Sequence, residues 1–215
     1  MKNKSPYTAA LTGGGFLFDE TITLLPLLQA DNSDELLRDE KLNNRLLHIN
    51  AETARARTIH EIKRRYQTMT PSFWKDFKNM SNGDKVVALF FVILKTYKIC
   101  FDLHVNVIMR KWNGISKSVD KEDLMMEFNE ISAKDAFVDS WSDKTKAKIA
   151  SAYLTILRKV GMMTTDHHLQ SLVCSNYDYY LAKGEPWFLE ACLLQPYEIS
   201  DVRCKMNNKY HSVQL

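Results

Sequence analysis

Residues 81–110 read SNGDKVVALFFVILKTYKICFDLHVNVIMR, and the fold follows from how this stretch must be buried. Ser81 is placed to cap a helix N-terminus, and Asp84 stands three residues on to answer it. Nine apolar residues run unbroken from Val86 to Leu94. Polar residues return at Lys95, Lys98, Asp102 and His104, while Phe91, Leu94, Tyr97, Phe101, Val105 and Ile108 keep a helical spacing. A helix apolar all round at one end and one-sided at the other is a central core helix. A membrane span needs about 20 consecutive apolar residues. The run here is nine, between Lys85 and Lys95, and reads as core.

Composition agrees with a globular chain. The 215 residues are 45% apolar and 26% charged, enough to bury a core in one domain or two small ones. Seven glycines and five prolines are too few for an all-β chain of tight turns. A net charge of +3 and a pI near 8.6 are mildly basic, so where the charge sits matters more than its sum. Cys100, Cys174, Cys192 and Cys204 lie far apart and fit neither a zinc framework nor a disulfide scaffold. Near Lys2 and Lys4, Pro6 and the Gly13-Gly14-Gly15 run interrupt any signal-peptide core, and a cytoplasmic protein is expected.

Outward from the central helix, an all-α pattern holds. Residues 7–30 read as a loop passing into a short apolar helix. Residues 31–49 read as a helix capped by Ser33, with Leu36, Leu37, Leu42, Leu46 and Leu47 as its buried stripe. Asn50 is placed to cap a basic helix that between Thr53 and Thr68 carries Arg55, Arg57, Lys63, Arg64 and Arg65 against one acid, Glu61. On a wheel, Ile59, Ile62, Tyr66 and Met69 define its inward face, and Arg55 falls in the middle of it. Such an arginine needs a carboxylate or several carbonyls. Asp102 and Glu20 are the candidate acids.

Thr70-Pro71 starts a further short helix. Residues 112–120, WNGISKSVD, read as a linker between an N-terminal lobe at 5–112 and a C-terminal lobe at 119–215. In the second lobe, residues 133–161 outline a helix-turn-helix, and the exit past Gly161 resembles that of a winged-helix reading helix. From Lys144, Ile149, Tyr153, Ile156, Leu157 and Val160 share one face, while Lys144, Lys148, Ser151, Thr155, Arg158 and Lys159 share the other. No acid occurs from Lys144 to Thr165, and Gly161 ends the helix. Beyond it, 169–174 reads as a short strand or helix, and the final dozen residues read as frayed.

Catalytic chemistry has no signature. His48, His60, His104 and His211 are scattered, and adjacent His167 and His168 would point about 100° apart on a helix. No nucleophile elbow, phosphate-binding loop or dinucleotide fingerprint is present. The positive signals are the two basic helices, whose faces suit phosphates and base edges.

Several short motifs, in this order, resemble the BrxA family of the BREX phage-resistance systems of bacteria. They are Tyr7 with Thr12-Gly13-Gly14 ahead of Glu20, Thr53-Ala54 with Arg57, Tyr97 with Phe101-Asp102, and Ser142 with Thr145 and Lys148 leading to Leu157 and Gly161. The resemblance implies a compact all-helical protein similar to the antitermination factor NusB, non-enzymatic and binding nucleic acid.

The combined reading is a cytoplasmic binder of double-stranded DNA, working with other BREX proteins. It expects no cofactor, metal, membrane or small-molecule substrate. The expected contacts are Arg57, Lys63, Arg64 and Arg65 on one helix and Lys144, Lys148, Ser151, Thr155 and Arg158 on the other. The competing classes are an RNA binder of the NusB kind and a scaffold for acidic partner proteins. Tyr66 and Tyr153 fall on inward faces, which favours duplex over stacked single strands.

Overall fold

The computed structural model describes the main chain of residues 5–13 and 15–212, with side chains for 5–11 and 15–207. Lys2, Lys4, Gly14 and the side chain of His211 therefore lie outside the described residues. After a 3-10 turn at Ala10–Gly13, the helices are α1 Phe18–Leu28, α2 Ser33–Asn43, α3 Glu52–Thr68, α4 Pro71–Asn79 and α5 Asn82–Thr96. Next come α6 Lys98–Leu103, a π-helical turn His104–Ile108, α7 Met109–Trp112, α8 Lys121–Ser132 and α9 Ala136–Asp139. The chain closes with α10 Asp143–Lys159, α11 Asp178–Ala182, α12 Trp187–Ala191 and α13 Pro196–Ser212. The class is all-α. Its only extended pairing among the described residues is two isolated antiparallel bridges.

The buried run forms α5, and every residue from Val87 to Leu94 is buried. Ser81 Oγ accepts the Asp84 N–H at 3.1 Å and donates to Asp84 Oδ2 at 2.8 Å, so the expected start signal is made. The expected single helix to Arg110 is not. Tyr97 breaks it in an extended conformation (φ −115°, ψ 101°), and the chain resumes as α6. The break sends the Tyr97 hydroxyl into the protein, where it takes a hydrogen bond from Arg65 Nε at 2.9 Å and donates to Glu61 at 2.8 Å. The π-helical turn then shifts the wheel by a residue. Asp102 and His104 are buried, and Val105 is only half-buried.

One hydrophobic cluster runs from Leu11 through α5, α8, α10 and α12 to Ile199 in α13. A smaller one, Leu24, Leu28, Leu37, Ile59 and Ile62, joins α1, α2 and α3. Here α2 is shorter than the sequence pattern suggests. Asn44 adopts the left-handed region and ends it, and Leu42 and Leu46 are exposed. Ser33 and Asn50 do not cap; the N-cap positions are Asn32 and Ala51, without side-chain caps. The following loop is held by Glu40, whose carboxylate accepts the N–H groups of Arg45, Leu46 and Leu47.

At α10 the expected glycine end holds, and the start carries a cap that the sequence reading did not assign. Ser142 Oγ accepts the Thr145 N–H at 3.2 Å. At the other end Gly161 (φ 82°) makes a Schellman closure, with the Gly161 N–H on the Arg158 carbonyl and the Met162 N–H on the Leu157 carbonyl. The helix before it, α9, is a single turn capped by Asp135, so α10 packs mainly on α8. Past Gly161 no wing strand forms among the described residues. The chain turns at 164–167 and bridges Met163 to Leu169 and His168 to Ser118 of the linker. Residues 170–174 belong to no helix, strand or bridge, and residues 204–212, expected to fray, continue helix α13.

Candidate nucleic-acid interface

The basic charge of α3 is mostly consumed within the fold. Arg55 is 4% exposed, and its guanidinium donates to the carbonyls of Lys41 (2.7 Å), Ile49 (2.6 Å) and Leu42 (3.3 Å). These include last-turn carbonyls of α2, which have no partner within their own helix. The inward position of Arg55 is as expected, but neither Asp102 nor Glu20 is its partner.

Arg65, expected to contact DNA, is fully buried. Besides Tyr97, it donates to the carbonyls of Phe16 (2.7 Å) and Gly15 (2.6 Å), tying the N-terminal segment to α3. It lies three residues from inward Ile62, so it is a core arginine and no part of an outer face. Lys63 is ion-paired with Asp34 on α2 and holds that carboxyl below the usual carboxylate range. Arg64 lies 3.7 Å from Glu61, 3.2 Å from His60 Nε2 and 3.3 Å from Thr8 Oγ1. Arg57 is exposed and has no partner among the described residues.

On α10 the balance is reversed. Lys144, Lys148, Ser151, Thr155 and Lys159 are all exposed along one stripe, opposite buried Ile149, Tyr153, Ile156 and Leu157. No carboxylate pairs with Lys144, Lys148 or Lys159 among the described residues. Lys159, omitted from the expected contacts, extends the stripe by one turn at i+4 from Thr155. Lys146 points the other way and is buried. Arg158 is half-buried, its Nη2 3.0 Å from His167 Nε2; a guanidinium only donates, so that ring nitrogen accepts.

The two hydroxyls serve differently from the lysines. Ser151 Oγ donates to the Ala147 carbonyl and Thr155 Oγ1 to the Ser151 carbonyl, both at 2.9 Å. Their lone pairs stay open, which suits accepting from a base amino group better than donating to phosphate. The 3-10 turn Ala10–Gly13 packs against both α3 and α10, so the two helices flank one N-terminal segment. That segment is pinned by the Tyr7 hydroxyl, which donates to Asp102 Oδ2 at 2.7 Å.

The motifs that carried the family resemblance thus sit at structural joints. Tyr7 meets Asp102, Tyr97 meets α3, and Ser142 and Gly161 bound α10. A family model described as BrxA matches residues 5–177. The chain belongs to the BrxA family. Membership makes this BrxA-family chain a BREX-system protein. The match stops before α12 and α13. A crystal structure of an uncharacterized protein from Magnetospirillum magneticum is similar with a TM-score of 0.74, covering 87% of this chain and 98% of that one at 21% identity. At that identity the likeness is one of fold. No curated protein matches the chain. Among the described residues, no helix is long and apolar enough to cross a membrane.

Proposed function

We propose that this BrxA-family protein is a non-enzymatic binder of duplex DNA within its BREX system, gripping the phosphate backbone through the outer face of α10. The observation that supports this reading is the unpaired stripe Lys144, Lys148 and Lys159 on an acid-free helical face. Free ammonium groups displace condensed counterions, whereas lysines already paired with carboxylates gain little by exchanging one anion for another. Arg57 is a second free cation on the flanking helix α3, and Lys63 and Arg64 are held in reserve by their ion pairs. Arg158 and the Ser151 and Thr155 lone pairs complete the face.

A gel-shift series with duplex DNA, single-stranded DNA and structured RNA tests the reading. Duplex should bind most tightly, and Lys144→Glu with Lys148→Glu should abolish the shift while leaving the melting temperature unchanged. Preferred binding of RNA, or undiminished duplex binding by the double variant, would overturn it.

A further inference from the structure

A cavity lies beyond α10, between residues 171–175, which belong to no helix or strand, and α13. It is an open groove of about 920 Å³. Val173 and Tyr197 open into it, 83% and 67% exposed, with Val202 and Leu194 beside them. Large apolar side chains exposed singly are ordinary, but these share one concave surface. The groove is acidic at its margin. Asp178, Glu198 and Asp201 line it, against Lys205 alone among its described cations.

The main chain of the segment adds a second observation. Leu172 turns its N–H to the Cys192 carbonyl at 2.8 Å, and the Tyr177 hydroxyl donates to the Leu172 carbonyl. The Cys174 N–H meets Tyr177 Oη at 3.1 Å. In extended chain, alternate residues direct their main-chain groups to opposite edges. The other edge belongs to Ser171 and Val173, and neither makes a main-chain hydrogen bond among the described residues. That edge is closed on either side, where the Leu169 N–H goes to the Lys117 carbonyl at 2.7 Å and the Ser175 N–H to Asp84 Oδ1 at 2.9 Å, so the open stretch between them is a template for a short added strand.

We propose that this groove binds an extended, basic peptide segment of another protein, which adds a strand along the Ser171–Val173 edge. Its apolar side chains pack on Val173 and Tyr197, and its lysines or arginines meet Glu198 and Asp201. An acidic or uniformly polar segment fits neither the floor nor the margin. The site is separate from the α10 stripe, so a DNA-bound molecule can hold this partner at the same time.

The test is a titration of the isotope-labelled full chain, followed by NMR, with a short peptide alternating valine and lysine. Controls are a valine–glutamate peptide and a valine–lysine peptide N-methylated along one edge. The expected result is that Ser171 and Val173 amide signals shift and exchange more slowly with solvent. The N-methylated and glutamate peptides should leave them unmoved. Asp201→Lys should weaken the valine–lysine peptide by about tenfold, as loss of a complementary charge does, without lowering the melting temperature. Equal binding of the lysine and glutamate peptides, or shifts confined to other surfaces, would overturn the proposal. So would concentration-dependent self-association relieved by Asp201→Lys, which would assign the edge to a second copy of this chain.

Discussion

Arg55, Arg57, Arg64 and Arg65 share one helix and one side-chain chemistry, and burial alone divides their roles. Arg65→Ala removes donors to Tyr97, Phe16 and Gly15 and leaves buried Glu61 short of a compensating charge. It should lower unfolding free energy by about 3–5 kcal/mol in urea melts. Arg57→Ala, which breaks nothing, should stay within about 0.5 kcal/mol of wild type. Equal stability of the two variants would contradict the burial argument. The inward position of Arg55 was legible from the wheel. Its carbonyl partners were not, because they are the last-turn carbonyls of α2 and that of Ile49, which meet Arg55 only through where Asn44 ends α2 and how Glu40 gathers the loop. Arg65 was misread because charge outweighed position, although it sits one turn from Ile62. His104 is a second residue whose setting only the fold reveals. Its ring lies 2.7 Å from the Tyr153 hydroxyl and 2.8 Å from the Ala191 carbonyl, so Nε2 carries the proton and Nδ1 accepts. Burial pushes its pKa down to about 4, from an ordinary 6.5. Between those values the unfolded chain takes up a proton that the native one refuses. Stability is therefore full above about pH 6.5 and falls toward pH 4, by about 3 kcal/mol in all. His104→Gln should flatten that part of the profile of melting temperature against pH; an unchanged slope would assign the effect to other groups.

At the scale of elements, periodicity located helices well and their ends unevenly. The start of α5 and the end of α10 were legible because Ser81 and Gly161 are local signals within one turn, whereas the Ser142 cap of α10 went unread. The break at Tyr97 carries no proline or glycine, so nothing local announces it. It exists because a tyrosine hydroxyl between Glu61 and Arg65 offsets one interrupted helical turn. Tyr97→Phe keeps the ring and removes that bridge, leaving two buried charged groups each one partner short. It should cost about 2–3 kcal/mol and loosen the anchoring of the N-terminal segment, since Arg65 also holds Gly15 and Phe16. Hydrogen exchange of the Leu11–Phe18 amides would register this. Full protection in the variant would mean that hydrophobic packing of Leu11 and Phe16 suffices. The α2 helix failed in the same non-local way. Its leucine pattern continues past Asn43, but Asn44 enters the left-handed region and Glu40 gathers the loop, so Leu46 never reaches the core, while Leu42 lies within α2 turned away from buried Leu37.

For the whole molecule, a net charge of +3 conceals an uneven distribution. Ion pairs engage one lysine each on α3, α6 and α7: Lys63 with Asp34, Lys98 with Asp102, Lys111 with Asp123. The acids of α13 and its neighbouring loop collect around one groove. Among the described residues, the outer face of α10 gathers Lys144, Lys148 and Lys159 in one stripe without carboxylate partners, and Arg57 on α3 is likewise unpaired. If that face carries the binding, log affinity for duplex DNA should fall against log salt with a slope of about 3–5, at roughly 0.9 per contacted phosphate. Removing Lys144, Lys148 and Lys159 together as alanines should lower the slope by about 2.7 and weaken all duplex sequences alike. Lys63→Ala should leave the slope unchanged, because its charge is already committed to Asp34. Fluorescence anisotropy across a salt series on the three proteins reads all of this directly. A slope reduced equally by Lys63→Ala would show that DNA pulls Lys63 away from Asp34, placing α3 and α10 on one continuous surface. A slope that ignores the triple variant would move the interface off α10 altogether.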